Sequence, residues 1–359
     1  MTDRVRVGII GAGSISGLHA AGYIAHPAAE IIAVADNAEG VAGSCASEWG
    51  APKSYTDYRA LLDDPDVDAV DIITPHDLHR RMSIDALDAG KHVSVQKPMA
   101  ITVEECDGMI EAAARAPGSF RVFENFRYYP PLAKAKELLD SGEIGEGISI
   151  RMSSAQGALK HGWKLPESTL AWRFDDAQSG GGRVVFDHGY HLFALALFIF
   201  GPVEQVFAFI KEEINEKGWV RDSPAIISWL YSDGKRQGSW NSISSDDLVI
   251  PSDYWAEDEW FEIGGTTGFI WVNRCTGKFL NRPPLVYYSD GKFTEIGLEE
   301  IDWDWAASFR SGMIDFVDSI LEGRQAPLSG KEGREVFQFA RAAQKSAREC
   351  RPITIKEMG

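Results

Sequence analysis

Asp187 and His191 stand four residues apart in the segment Gly180-Gly181-Gly182-Arg183-Val184-Val185-Phe186-Asp187-His188-Gly189-Tyr190-His191. On a helix, one turn brings such a pair to the same face. A carboxylate beside an imidazole makes a base that can take a proton from a hydroxyl group. The glycines set the expected helix start near Asp187, which puts His191 in the first turn, where the positive end of the helix dipole disfavours imidazolium. On spacing alone, a capping aspartate and a packed ring account for the same pattern. Lys97 follows the strand-like run His92 to Val95 and precedes Pro98. At the carboxyl end of a parallel strand, an ammonium can steady a developing alkoxide; taken in isolation, Lys97 reads as a solvated lysine.

A second group of residues suits a dinucleotide. Gly11, Gly13 and Ser16 come directly after the run Val7 to Ile10 and open a helical stretch. Gly11 permits a tight turn, Gly13 lets backbone amides approach a pyrophosphate, and the helix start brings partial positive charge. Ser16 stands where the fingerprint has a third glycine, and it is small enough for the same close packing. Ser14 and Ile15 complete the expected phosphate loop. Twenty residues past Ser16, Asp36 ends the second strand with Asn37 after it, and no Lys or Arg follows until Lys53. An acid there accepts ribose hydroxyls and repels a 2′-phosphate, so NAD is expected over NADP.

The elements that must position these groups fall into two halves. From Val5 to Glu124, short β-branched runs alternate with helical stretches (14–25, 38–49, 79–89 and 103–115), which predicts a doubly wound parallel α/β sheet, a Rossmann domain over 1–124. Over 125–359 the strands lengthen, become aromatic and are joined by turns such as Ser232-Asp233-Gly234. With helices predicted over 131–139, 187–200, 306–321 and 330–348, this half reads as an α+β domain with a large, mainly antiparallel open sheet.

Gln96-Lys97-Pro98 and the Gly180–His191 segment resemble the glucose-fructose oxidoreductase, inositol dehydrogenase and rhizopine catabolism family (Gfo/Idh/MocA), and the resemblance spans essentially the whole chain. Thr74-Pro75 with His79, His19 in the first helix, and Arg127-Tyr128 add to it. The resemblance implies Lys97, Asp187 and His191 as catalytic residues and a cis Lys97-Pro98 bond. It also implies Thr74, Pro75, His79, Gln96 and Lys97 at the cofactor. His79 alone reads as a cap or a packed ring. Gln96 departs from the family's usual Glu, which removes an anion beside Lys97 and leaves an amide for ribose hydroxyls.

For substrate, the resemblance and the residue types together indicate Lys97, Arg127, His161, Trp163, Trp172, Arg173, Asp187 and His191. Gln156, Lys160, His161, Trp163, Trp172 and Arg173 are assigned to a long loop expected to face the substrate, where aromatic faces suit sugar C–H surfaces and cations suit hydroxyls or a carboxylate. Trp229, Trp240, Trp255, Trp260 and Trp271 are assigned to a sheet face or subunit interface.

The 359 residues carry 36 Lys and Arg against 53 Asp and Glu, a formal charge of −17 that disfavours nucleic acid and anionic membranes as partners. Cys45, Cys106, Cys275 and Cys350 form no CxxC pair, and Asp71, Asp77, His76 and His79 give no convincing ligand set, so neither disulfide nor metal is expected. The longest apolar run, Tyr190 to Phe200, is short for a membrane span, and a cytoplasmic homo-oligomer (dimer or tetramer) is expected. The function expected is NAD-dependent hydride transfer at a secondary alcohol of a sugar, glycoside or cyclic polyol. The alternatives are redox cycling through a transient 3-keto sugar with elimination, and non-catalytic NAD or sugar sensing.

Overall fold

The computed structural model describes residues 4–158, 162–163, 165 and 170–359. Contacts divide the chain into two compact units: unit 1 is Met1–Glu124, Ala177–Gly180 and Phe309–Phe337, and unit 2 is Asn125–Asp176, Gly181–Ser308 and Gln338–Gly359. A single cut after Glu124 therefore misses two segments that pack with the first unit. The bond Arg121 Nη1–H to Gly312 O, 2.8 Å, shows why: a buried arginine in a strand takes its acceptor from a segment nearly two hundred residues later.

In unit 1, strands β1 (Val5–Ile10), β2 (Ala29–Ala35), β3 (Lys53–Tyr55), β4 (Ala69–Ile72), β5 (His92–Gln96) and β6 (Phe120–Phe123) form a parallel sheet in the order β3-β2-β1-β4-β5-β6. Helices α1 (Ser16–Ala25), α2 (Val41–Trp49), α3 (Tyr58–Leu62), α4 (His79–Asp88) and α5 (Val103–Arg115) alternate with the strands. All four residues of β4 and of β6 are buried, as expected of parallel strands covered on both faces. The order reverses beside β1, and open α/β sheets bind ligands at the carboxyl ends around such a switch point.

Unit 2 adds α6 (Pro130–Asp140), β7 (Gly147–Gln156) and, after the short helix α7 (Asp176–Ser179) that lies mostly in unit 1, α8 (Gly189–Phe200), β8 (Val203–Ile210), β9 (Glu213–Ile214), β10 (Val220–Arg221), β11 (Ala225–Tyr231), β12 (Gln237–Ser244), β13 (Glu257–Gly265), β14 (Phe269–Val272), β15 (Leu285–Ser289), β16 (Lys292–Ile296) and β17 (Ile353–Thr354). Helices α9 (Trp305–Leu321) and α10 (Gly330–Glu349) complete the chain. Nine strands form one sheet in the order β16-β15-β14-β13-β7-β12-β11-β8-β17, antiparallel throughout except for β12 with β7. Strand β11 alternates buried and exposed residues along its length, the signature of a sheet covered on one face.

This alternation sorts the tryptophans differently from the expected stripe. Trp229 and Trp240 lie on the covered face in the core, whereas Trp260 stacks on Phe279, and Trp271 stacks on Phe269 and Phe293. Trp255 precedes β13 and belongs to neither set.

One helical stretch among the described residues, Asp176–Phe200, is long and apolar enough by composition to cross a membrane, although 83% of its most apolar window is buried inside the protein. It is longer than the Tyr190–Phe200 run suggests because the helix does not begin at Asp187.

Candidate active site

The glycine loop of unit 1 is shaped by steric need. Gly11 has φ +92°, and a Cβ there would lie 2.3 Å from the Ile73 carbonyl oxygen, so no other residue fits. A Cβ on Gly13 would meet nothing within 4 Å, leaving open space before α1. Helix α1 has no side-chain cap and no acid in its first turn, so its amino end presents an unopposed positive dipole. Ser16 Oγ donates to Gly13 O at 2.6 Å and locks the turn. The Asp36 carboxylate accepts from Ala12 N at 2.8 Å and from Ala38 N at 2.8 Å, which holds it between the glycine loop and the turn after β2. Past β4, Thr74 Oγ1 is buried without a hydrogen-bond partner. An open helix start, a fixed acid at the end of β2 and an orphaned hydroxyl at the end of β4 all fit a dinucleotide.

Lys97 follows β5, and its bond to Pro98 is cis. Beneath it runs a chain of buried groups. Asp71 Oδ2 accepts from Tyr23 Oη at 3.0 Å and contacts His19 Nδ1 at 2.7 Å; His19 Nε2 lies 3.0 Å from Gln96 Nε2; and Gln96 Oε1 accepts from Lys97 N at 2.8 Å. With its own proton on Nδ1 facing Asp71, His19 accepts the amide proton on Nε2. Burial, reinforced by Asp71, pushes the Tyr23 hydroxyl well above its usual range. Gln96 thus turns its amide inward, on His19 and on the backbone of Lys97.

His79 also points inward, fully buried, with Nδ1 2.8 Å from Pro98 O and Nε2 3.0 Å from Thr74 O. Burial pushes it down to about 4 against the pull of those carbonyls. The ring is neutral and has one proton, so it donates to one carbonyl at a time. It braces Thr74 and Pro98 and has no surface to offer a ligand. Asp71 Oδ2 is shared by His19 and Tyr23, and its Oδ1 is buried without a hydrogen-bond partner.

In unit 2, a π-helical turn over Arg183–His188 runs into α8. Gly182 has φ +89°, and a Cβ there would come 2.4 Å from Gln344 Nε2 and 2.9 Å from Asp222 Oδ2. Asp222 accepts from Val184 N at 2.7 Å and Val185 N at 2.8 Å and so caps the helix start. Burial raises the Asp222 carboxyl and those amides pull it back. His191 therefore does not lie in the first helical turn, contrary to the expectation from the glycines. The helix begins at Arg183, more than two turns before His191, and its positive end is already answered by Asp222.

His191 stacks on Phe126, centroids 4.4 Å apart at 7°, and meets His188 edge-on at 5.9 Å. Asp187 Oδ2 lies 3.6 Å from Arg173 Nε, and the Arg173 guanidinium covers the Trp172 ring at 4.4 Å and the Trp255 ring at 5.2 Å. Burial pushes the Arg173 guanidinium down while Asp187 holds it up. Trp163 packs edge-on against Trp255, Tyr254 and Trp305. Asp187, Arg173, Trp172, Trp255 and Trp163 therefore form one connected group.

Residues 5–124 match the family model described as an oxidoreductase family with an NAD-binding Rossmann fold, and residues 132–271 match the model of the GFO/IDH/MocA C-terminal domain. The chain belongs to the GFO/IDH/MocA family. It is 34% identical to a levoglucosan dehydrogenase of Pseudarthrobacter phenanthrenivorans over 60% of this chain and 56% of that protein. To a myo-inositol 2-dehydrogenase of Thermotoga maritima it is 25% identical over 99% of each chain. A solved levoglucosan dehydrogenase in complex with NADH and levoglucosan superimposes with a TM-score of 0.84 at 26% identity, covering 98% of this chain and 99% of that one. This GFO/IDH/MocA chain is thus an oxidoreductase with a dinucleotide-binding Rossmann unit.

Arg127, next to the Phe126 that stacks on His191, covers the Phe198 ring at 4.8 Å. Gln156 is no loop residue but the last of β7, where its Nε2 donates to Glu257 Oε2 at 3.0 Å. Lys160 and His161 lie outside the described residues.

Trp255 is read from the sequence as part of a sheet face or subunit interface, and two further contributors carry no sequence signal: Asp222 and the pair Glu257 and Glu259. His188 sits between these two acids, with Nδ1 3.5 Å from Glu257 Oε1 and Nε2 3.1 Å from Glu259 Oε1. Burial alone would push the His188 imidazole down, but the two carboxylates lift it to about 10.

Proposed function

We propose that the chain is an NAD-dependent dehydrogenase of a secondary alcohol in a sugar, anhydrosugar or cyclic polyol. The observation that carries this reading is the grouping of Asp187 and Arg173 with the flat faces of Trp172 and Trp255, on the helix that also holds His191. Aromatic faces suit the C–H surfaces of a ring, and an ionised pair beside them suits its hydroxyls. Relatives named for levoglucosan and inositol support it.

Unit 1 holds the dinucleotide on Gly11, Gly13, Ser14, Ile15, Asp36, Asn37, Thr74 and Pro75, and the bound nicotinamide supplies the hydride acceptor. NAD is favoured over NADP because Asp36 stands where the 2′-phosphate would go. The groove beyond it, lined by Ala38, Gly40, Tyr55, Thr56 and Asp57, has no cation among its lining residues. Lys53, the nearest cation in sequence, is held by Asp64 at 2.7 Å and Asp66 at 2.8 Å.

His191 takes the hydroxyl proton, Lys97 steadies the oxygen it leaves, and Asp187 accepts from a substrate hydroxyl while Arg173 fixes its orientation. The exposed face of the nine-stranded sheet, with Phe209, Ile226, Leu230 and Phe293 more than half exposed, is the surface we assign to self-association.

A panel of anhydrosugars, pyranosides and inositols, read by NADH absorbance, tests the reading. Turnover with at least one class and net NADH formation is the expected result. Turnover without net NADH would convert the reading to redox cycling, and none across the panel would end it.

A further inference from the structure

We infer that unit 2 holds a divalent transition-metal cation on His188, Glu257 and Glu259, with zinc the best match to the ligand types. These residues offer ligand atoms that all lie within 4.8 Å of one another. Glu257 and Glu259 are alternate residues of β13, so both point to the covered face of the sheet, where His188 meets them from the end of the π-helical turn.

Three further observations point to a ligand rather than to a closed ion pair. His188 Nε2 and Glu259 Oε1 face one another at 3.1 Å, yet neither makes a hydrogen bond. His188 is 6% exposed and Glu259 not at all, so no bulk solvent satisfies them. Their separation is close to the roughly 3.3 Å between neighbouring donors in a tetrahedral site with bonds of about 2.0 Å.

Each carboxylate also has one oxygen already tied back. Glu259 Oε2 accepts from Thr276 N at 3.1 Å and Thr276 Oγ1 at 2.9 Å, and Glu257 Oε2 accepts from Gln156 Nε2 at 3.0 Å. In both, the remaining oxygen turns toward His188. Ligands held from behind in this way are a regular feature of metal sites. Finally, Gln156, bonded to Glu257 through Nε2 and paired with it across the ladder, keeps its own Oε1 buried without a donor, which makes that oxygen the candidate fourth ligand atom.

One imidazole with carboxylate and carbonyl oxygens suits zinc or manganese better than magnesium or calcium, which prefer all-oxygen shells. A bound dication would neutralise two buried carboxylates and fasten the helix of Asp187 and His191 to the sheet. No step of the proposed reaction depends on it.

The test is metal analysis of untagged protein purified without chelators. About one equivalent of zinc or manganese per chain is expected. Dialysis against a chelator should remove it and lower the melting temperature, and zinc chloride should restore both. Glu259→Gln should lower metal affinity by at least roughly tenfold. Glu262→Gln, on the same strand with its side chain at Arg151 and Trp271, should keep it. Metal-free wild type whose melting temperature ignores added zinc and manganese would overturn the inference, and would show that a proton occupies the place. Undiminished metal in Glu259→Gln would overturn it too, by placing the ion elsewhere. If that variant fails to fold, the wild-type titration decides alone. These readouts do not involve turnover, so they stand apart from the dehydrogenase assignment.

Discussion

The two sheets treat polar side chains in opposite ways. In unit 1 the sheet is buried on both faces, and its polar residues form a connected chain: Tyr23 and His19 both meet Asp71 Oδ2, His19 meets Gln96, and the chain ends at a backbone amide, with Asp71 Oδ1 left buried and unpartnered. In unit 2 one face is exposed, and the covered face carries Ser154, Gln156, Ser242, Glu257 and Glu259 from neighbouring strands beside a helix bearing Asp187, His188 and His191. The first arrangement makes a rigid cradle from loops. The second places ionisable side chains in a dry, packed setting, where charge effects are strong. Lesions in unit 1 loops should therefore change cofactor binding, and lesions on the π/α8 helix should change turnover.

The largest expected effect comes from His191→Asn. Turnover should fall roughly a hundredfold to ten-thousandfold with NAD affinity unchanged, as for loss of a general base. Stopped-flow turnover and NAD titration by protein fluorescence measure the two quantities. A variant that loses NAD binding as severely as turnover would break the division of labour between the units.

Next comes Asp222→Ala. This buried carboxylate accepts two amides at the start of the helix that carries Asp187 and His191, so its loss should destabilise the protein by about 2 to 4 kcal/mol. Urea unfolding measures it. A change under about 0.5 kcal/mol, the size of a neutral surface substitution, would show that the helix start is held by other means.

How much of this was legible beforehand follows from the same contrast. The cradle of unit 1 is written in consecutive residues: a strand, Gly11, Gly13, a helix, and Asp36 at the next strand's end. Strand β3 and helix α3 escaped because Lys53–Tyr55 and Tyr58–Leu62 are too short to show a period. In unit 2, Asp187 and His191 were visible as a pair within one segment. His188 lay between them unnoticed, because its partners come 69 and 71 positions later and meet it only through sheet register. Asp222 is hidden in the same way, since the amides it caps lie 38 and 37 positions earlier. The helix start was misjudged because glycines mark a break without saying on which residue the helix resumes, and a π-turn leaves no familiar repeat.

A smaller effect sharpens the cradle side. Asp36→Ala should narrow the preference for NAD over NADP, since the lost repulsion is about 1 to 3 kcal/mol, tenfold to a hundredfold in affinity. Titration of both dinucleotides to wild type and variant measures it. NADP binding as tight as NAD to the wild type would remove Asp36 from this role. Turnover with saturating NAD should stay close to wild type, which separates this lesion from that of His191.

The smallest expected effect concerns the brace behind Thr74 and Pro98, and it appears only on the acid side. His79 titrates near 4 in the folded protein because burial disfavours its cation, and near 6.5 when the chain is unfolded. A base whose folded value is depressed contributes stability that is fully present above the unfolded value and is lost as pH falls from 6.5 toward 4, since only the unfolded chain then takes up the proton. Between pH 8 and pH 5.5 this loss amounts to about 1.4 kcal/mol. His79→Gln keeps a donor for one of the two carbonyls and cannot take up the proton. It should be less stable than wild type at pH 8 through poorer packing, yet lose less on acidification by that amount. Urea midpoints of both proteins at the two pH values give the comparison, and its use of a difference cancels the carboxylates that titrate in both. Parallel losses in the two proteins would mean that His79 is hydrated and charged in the native state, and the closed interior of unit 1 would then be open at this point.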